Sequence, residues 1–299
     1  MPEIPFSLQP PRLDPVVMPW LQDRQVTLHM LRLDLMHPAV GGNKWFKLHR
    51  NLEAARAQGA DTVLSFGGAW SNHLAALASA ARLWGLRSVG VVRGELPEPL
   101  NPVLAHARSE GMVLQPVTRG QYRHKRDPDF IAGVRHQYGS CHVIPEGGSN
   151  EPGVEGCAAI ADFLLPADLQ DNALIVLACG TGATLAGLLR GLGRRQARCR
   201  VRGVAVLKGG EFLQGDVSRW LNARDNLPRW QLETAYHCGG YARISPELTD
   251  FMAQFRACNT IPLEPVYTGK LMFAVADWLA RGEIPPGTRV TALHTGGNW

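Results

Sequence analysis

Two hydrophobic rhythms alternate along the chain. Short β-branched and apolar runs bounded by glycine or polar residues recur at 62–66, 88–92, 112–116, 141–144, 174–178, 201–207 and 289–293, and they read as buried strands. Longer stretches between them place apolar residues at helical spacing: from about 44 to 58, from 70 to 85, then 102–111, 129–138, 152–165, 183–193, 248–258 and 269–280. Residues 25–35 alternate enough for one more strand. Prolines at 2, 5, 10, 11, 15 and 19 make residues 1–24 an irregular lead-in. Strand, helix, strand with short links implies parallel sheets. The pattern predicts an α/β chain of two lobes, each an open, mostly parallel sheet flanked by helices, with no internal repeat and no long linker.

Composition narrows the function classes. The chain has 299 residues, 45% of them hydrophobic and 19% charged, which is ordinary for a soluble globular protein and sets disorder aside. Residues 172–189 carry no charge, but Gly180, Gly182 and Gly187 interrupt them, so a strand followed by a buried helix explains them better than a membrane span. The proline-rich start carries acidic residues where an export signal needs basic ones, and the six scattered cysteines include no Cys-x-x-Cys pair. Reduced thiols in a cytoplasmic protein are the expectation. Net charge is +5, with basic clusters at 119–126 and 194–202. They read as solvated faces rather than a nucleic-acid surface, since no nucleic-acid module accompanies them.

The chemistry lies in the glycine-bearing loops. In Gly41-Gly42-Asn43-Lys44-Trp45-Phe46-Lys47-Leu48, a flexible turn delivers Lys44 to the positive end of a helix. That position disfavours its charged form, and a less basic amine is a nucleophile suited to Schiff-base chemistry. A surface lysine in a first helical turn is the plainer reading of those eight residues. Gly180-Thr181-Gly182-Ala183-Thr184 joins a buried strand to a helix, offering backbone N–H groups and hydroxyls to an anion. The dinucleotide fingerprint fails at Leu185 and the triphosphate loop fails at Leu188, so a compact phosphate monoester suits it best.

Ser71-Asn72-His73 opens another helix, and residues 146–150, 267–270 and 295–297 form further polar turns. In an open α/β fold such helix starts face the crevice beyond the strand ends. No histidine or cysteine pair has metal-ligand spacing, so no metal is expected. Tyr241 and Tyr267 mean little alone. An imine-forming lysine, a compact phosphate site and several polar loops in a two-lobed α/β chain together describe a pyridoxal phosphate enzyme.

The sequence resembles the pyridoxal phosphate enzymes of the tryptophan synthase β-subunit fold, and within them the branch of 1-aminocyclopropane-1-carboxylate deaminase and D-cysteine desulfhydrase. The matching stretches are GGNKWFKL at 41–48, GGAWSNH at 67–73, EGGSN at 146–150, CGTGAT at 179–184, YTGKLMFA at 267–274 and LHTGG at 293–297. The resemblance implies a larger cofactor-binding domain of residues 1–45 plus 156–299, a smaller mobile domain of residues 46–155, and a homodimer. It implies that Lys44 is the Schiff-base lysine and Lys47 a phosphate contact. Asn72 would meet the cofactor's phenolic oxygen, while Ser71, Asn72 and His73 receive the substrate carboxylate. Gly180, Thr181, Gly182, Ala183 and Thr184 would hold the phosphate of pyridoxal 5'-phosphate. Tyr267 and Tyr241 would face the substrate, and Thr295 the pyridine nitrogen.

The chain departs from the ring-opening deaminases at Thr268, where they carry an acidic residue against the pyridine nitrogen. A hydroxyl leaves that nitrogen closer to neutral and the ring a weaker electron sink, which suits loss of a good β leaving group. Trp45, Phe46 and Trp70 add bulk around the same loops. The expectation is therefore α,β-elimination on a small amino acid, giving a 2-oxo acid and ammonia as D-cysteine desulfhydrase does, with Lys44 as the base. Ring opening of 1-aminocyclopropane-1-carboxylate, with Tyr267 and Ser71 as nucleophile or acid, is the alternative, followed by a protein that binds the cofactor without turnover. A basic surface at 119–126 for nucleic acid is the most distant one.

Overall fold

The apolar runs pair into two sheets whose faces the intervening helices cover, in a computed structural model that describes residues 7–222 and 225–297. In chain order the first elements are β1 (Arg12–Pro15), β2 (Thr27–Arg32), α1 (Asn43–Ala57), β3 (Thr62–Gly67), α2 (Asn72–Leu83), β4 (Arg87–Arg93), α3 (Pro102–Ser109), β5 (Val113–Val117), α4 (Arg119–Tyr122), α5 (Pro128–His136), β6 (Cys141–Val143) and α6 (Glu151–Ala158). They are followed by β7 (Ala173–Cys179), α7 (Ala183–Arg194), β8 (Arg200–Ala205), α8 (Phe212–Arg219), β9 (Arg229–Glu233), α9 (Pro246–Cys258), α10 (Thr268–Ala280) and β10 (Arg289–His294).

Contacts divide the chain into two compact units. The first is His37–Gly156 with the described residues up to Gln9; the second is Pro10–Met36 with the chain from Cys157 onward. Residues 37–45, Lys44 among them, fall in the first unit.

The first unit holds a parallel sheet in the order β5-β4-β3-β6. Every residue of β3 is buried, as expected of a central strand covered on both faces. Helix α1 buries Leu48, Leu52 and Ala55, one side of the helix. Helices α2 and α3 begin at Ser71 and Asn101, whose side chains accept from the main-chain N–H of Leu74 and Leu104.

The second unit holds a sheet in the order β1-β2-β10-β7-β8-β9, parallel except for β1. Its strand β7 is wholly buried. Trp278, Phe255, Met30 and Leu271 sit at the centre of its core with no more than marginal exposure.

Several elements differ from the sequence expectation, among them the short helices α4 and α8, which it does not contain. The proline-rich lead-in contains β1, an antiparallel edge strand, where proline costs no ladder bond on the solvent side; Asp14 in β1 and Asp34 after β2 both pair with Arg32. Strand β9 (RWQLE) is too polar to read as buried, because it forms the other edge. The helix expected over 152–165 ends at Ala158 and tightens into a 3-10 turn, Ala159–Phe163. There the Arg195 guanidinium takes the carbonyls of Ala161 and Leu164, and Gly191 of α7 packs against the Ala158 carbonyl, 2.1 Å from where a Cβ would stand.

Candidate active site

In the first unit the pattern GGNK becomes the start of α1. Gly42 has φ +70°, a conformation that favours glycine, and α1 begins at Asn43 with no acidic residue in its first turn. Lys44 is half-buried, and its Nζ donates to Asn43 Oδ1 at 2.7 Å. Trp45, Phe46 and Lys47 are buried, so Trp45 and Phe46 fill the unit's interior while Trp70, 62% exposed, stands in the loop before α2.

The glycine-rich turn 146–150 ties α1 to α2. Gly148, with φ +64°, lies so close that a Cβ would stand 3.0 Å from Lys47 Cβ and 3.5 Å from His73 Cε1. Asn150 and Asn51 exchange amide hydrogen bonds at 2.7 and 3.1 Å, and Asn51 also donates to the Lys47 carbonyl. The EGGSN stretch thus sets the position of α1 within the unit.

At the start of α2, Gly67 makes room for Ser71, whose Oγ would lie 2.5 Å from a Cβ there. The N–H groups of Asn72 and His73 have no intrahelical acceptor, and the first turn carries no acidic residue. The His73 ring turns inward instead. Ser65 Oγ lies 2.8 Å from His73 Nε2 and 3.4 Å from the Pro145 carbonyl. Nδ1 is buried without a partner among the described residues. What His73 offers a carboxylate is therefore its main-chain N–H.

Burial, and then the charges of Lys44 and Lys47, push the His73 pKa down from 6.5 to about 3. The unfolded chain consequently binds a proton that the folded unit refuses between those values, so stability is complete above pH 6.5 and falls as pH drops toward 3. Urea unfolding should lose about 1.4 kcal/mol per pH unit from this residue across that window. His73→Gln, which keeps a polar partner for Ser65, should remove that dependence; an unchanged pH slope would contradict the buried neutral imidazole.

The second unit carries the other stretches. After β7, Gly182 takes φ +78° and opens α7 without a side-chain cap or an acidic residue in the first turn. Ala183 and Thr184 are buried and Thr181 half-buried. Gly180 lies beneath Tyr267, whose ring carbon Cε1 would be 3.2 Å from a Cβ. Tyr267 donates to Tyr241 Oη at 3.2 Å, with their rings edge to face.

Glu264 escaped the sequence reading because it stands four residues ahead of α10. Its carboxylate accepts the N–H groups of Val266, Tyr267 and Thr268 at 2.6 to 2.8 Å. The Thr268 hydroxyl accepts the Glu264 N–H at 2.9 Å and is fully buried. Thr268 is thus committed to the helix cap. Thr295 follows β10, 6% exposed, beside His294, which donates from Nε2 to the Pro262 carbonyl and lies 3.2 Å from the Asp34 carboxylate. Burial pushes the His294 pKa down, with Asp34 opposing it. A signal for this pair existed only in the fold, since 260 residues separate the partners.

The residues present fit pyridoxal phosphate. In the second unit, a helix start without a side-chain cap, with a left-handed glycine and two threonines, suits a phosphate dianion; in the first unit, a half-buried lysine at a helix start suits an aldehyde. Three helix starts, α1, α2 and α7, carry no acidic residue in the first turn, so their positive poles remain available to anionic groups.

Comparison with known proteins agrees. A Thermotoga maritima protein provisionally named a 1-aminocyclopropane-1-carboxylate deaminase is 31% identical over 281 residues, covering 90% of this chain and 88% of the relative. The D-cysteine desulfhydrase of Yersinia pestis is 26% identical over 285 residues, covering 90% and 86%. A crystal structure described as an ACC deaminase homologue superposes with a TM-score of 0.82 at 26% identity, covering 99% of this chain and 90% of the other. The family model described as pyridoxal-phosphate dependent enzyme matches residues 21–296, which takes in both units and every loop built above, and the chain belongs to that family.

Proposed function

We propose that this enzyme is a lyase that removes the α proton and the β substituent of a small amino acid, releasing a 2-oxo acid and ammonia. D-cysteine is the proposed substrate; with one water it gives pyruvate, hydrogen sulfide and ammonia. The observation that carries the reading is the presence in one unit of Lys44 and of a helix start at Ser71-Asn72-His73 that has no acidic residue in its first turn. A base and a carboxylate receptor are what the α carbon of an amino acid needs.

Bound pyridoxal phosphate supplies the electron sink for the charge left on the α carbon. The chain's own residues do the rest. Lys44 Nζ would hold the cofactor through its aldehyde and, once freed, would take the proton from the substrate Cα. The main-chain N–H groups of Asn72 and His73 and the Ser71 hydroxyl would orient the carboxylate, and Asn72 would be the residue toward the cofactor's phenolic oxygen. In the second unit Gly180, Thr181, Gly182, Ala183 and Thr184 would hold the phosphate, and in the first unit Lys47 is a candidate phosphate contact. Thr295 would serve the pyridine nitrogen, a reading supported by the Thr268 hydroxyl being bonded to Glu264. A hydroxyl partner keeps the sink weak and favours elimination over ring opening.

The hydroxyl pair of Tyr241 and Tyr267 favours a second reading, ring opening of 1-aminocyclopropane-1-carboxylate to 2-oxobutanoate and ammonia, since one tyrosine can assist the other as acid or nucleophile. The names of the relatives include both activities. Incubation with each compound separates them: pyruvate and sulfide from D-cysteine support elimination, and 2-oxobutanoate from the cyclopropane with no sulfide from D-cysteine overturns it. We further infer a cytoplasmic homodimer without nucleic-acid partners. Among the described residues no helix is long and apolar enough to cross a membrane.

A further inference from the structure

The third residue after Tyr267 is a lysine with no exposure at all. Lys270 projects from α10 into the second unit, and its Nζ donates to the Gly240 carbonyl at 2.8 Å and approaches the Val206 carbonyl at 3.4 Å. No carboxylate lies within ion-pair distance among the described residues, and burial pushes its pKa down against the weaker opposing pull of Cys238 and Glu264. A buried ammonium that spends its hydrogen bonds on main-chain oxygens is costly to retain. What it holds is therefore informative.

The two carbonyls belong to segments that frame the tyrosine pair. Val206 follows β8, and its own N–H is bonded to Cys179, next to Gly180, on which Tyr267 rests. Gly240 precedes Tyr241 in a turn whose backbone is strained: Cys238, Gly239, Gly240 and Ala242 have φ of 50°, 92°, 134° and 55°. Of the four described non-glycine residues with positive φ, two lie in this turn. Tyr241 and Ile244 on it are 48% and 52% exposed, so side-chain packing does little to hold it. The turn's own bonds are the N–H groups of Gly239, Gly240 and Arg243, all closing within the segment. Lys270 anchors it to α10, three residues after Tyr267, which precedes the first turn of that helix.

We propose that Lys270 is a positioning residue for substrate selection, its ammonium clamping the 238–242 turn through Gly240 so that the Tyr241 hydroxyl meets that of Tyr267. This rests on the reading that Tyr241 and Tyr267 face the substrate. A charged donor removed from a carbonyl forfeits roughly tenfold to a hundredfold in the local closing equilibrium. The clamp acts on the position of Tyr241 alone, so its loss weakens substrate binding and leaves proton removal by Lys44 in place.

The test combines hydrogen exchange with kinetics on the cofactor-loaded enzyme and D-cysteine as probe. In Lys270→Met, amide protection across 237–243 should fall by at least about tenfold while α10 and β8 keep theirs. KM should rise by about tenfold with little change in kcat. Tyr241→Phe should raise KM similarly, and the double variant should be no worse than the poorer single one, because both changes remove the same contact. Multiplying effects, or unchanged protection of 237–243, would overturn the clamp. If Lys270→Met loosens the turn but Tyr241→Phe leaves KM unaltered, the clamp stands and the substrate-facing assignment of Tyr241 fails, which overturns the role in selection. Should the methionine variant not fold, Lys270→Gln keeps a shorter donor. Partial loss of protection with a raised KM supports the proposal, and full protection with an unaltered KM overturns it.

Discussion

Lys44→Ala should lower kcat/KM for amino-acid turnover by at least about 10³-fold, the range in which a positioned proton-transfer group contributes, with the covalent hold on the cofactor lost in addition. The fold should survive the change. Lys44 is half-buried and its Nζ bonds to the neighbouring Asn43 side chain, and losing one such bond costs about 1 kcal/mol. The helix keeps its start, because Gly42 and the buried Trp45, Phe46 and Leu48 set it. Stopped-flow or steady-state assay of 2-oxo acid formation checks this together with a thermal melt. Turnover within tenfold of the parent enzyme would remove Lys44 from the chemistry, whereas a collapsed melt would make it a structural residue instead.

Gly156→Ala should do the greatest damage to stability of any single methyl group added near the site. A Cβ at Gly156 would stand 1.9 Å from the Phe46 carbonyl oxygen and 2.9 Å from His49 Cε1. The first obstacle is main chain in the opening turns of α1, so no rotamer change relieves it. Either α6 or the segment carrying Lys44 must shift, at a cost of about 3 kcal/mol or more. For a protein of this size that lowers the melting temperature by several degrees, about 2–4 °C per kcal/mol. Cofactor uptake should fall as well, because the turn that moves bears Lys44 and Lys47. A melt within a degree of the parent's would mean that α6 and α1 are not held as closely as described.

The strands and helices that form the two sheet centres were legible in the sequence because parallel strands buried on both faces read as continuous apolar runs, as in β3 and β7. The edges were not. β1 hides among prolines and β9 among polar residues, and both lie where the sheet meets solvent and hydrophobic pattern carries little signal. The loops of the candidate site announced themselves through glycine. Gly42, Gly148 and Gly182 all have positive φ, so residue type and backbone requirement coincide there.

What supports those loops was illegible. Glu264 reaches forward to cap α10, His73 turns its ring to Ser65, and Lys270 ends on two carbonyls more than 25 residues away. The contacts of His73 and Lys270 join residues from different segments, and the Glu264 cap, though local, follows no Ser/Thr/Asp/Asn start signal directly before α10. Thr268 illustrates the difference. Its position after Tyr267 made it a candidate partner for the pyridine nitrogen, and only the fold reveals that its hydroxyl completes the Glu264 cap.

Lys44 is the residue proposed to hold the cofactor, and one measurement reaches it directly. The purified protein is loaded with pyridoxal phosphate, reduced with borohydride, digested and mapped by mass. The predicted result is a visible absorption band that borohydride abolishes, with the reduced cofactor's mass on the peptide containing Lys44. The same mass on a peptide bearing Lys47, Lys208 or Lys270 instead, or a protein that stays colourless after loading, would contradict it.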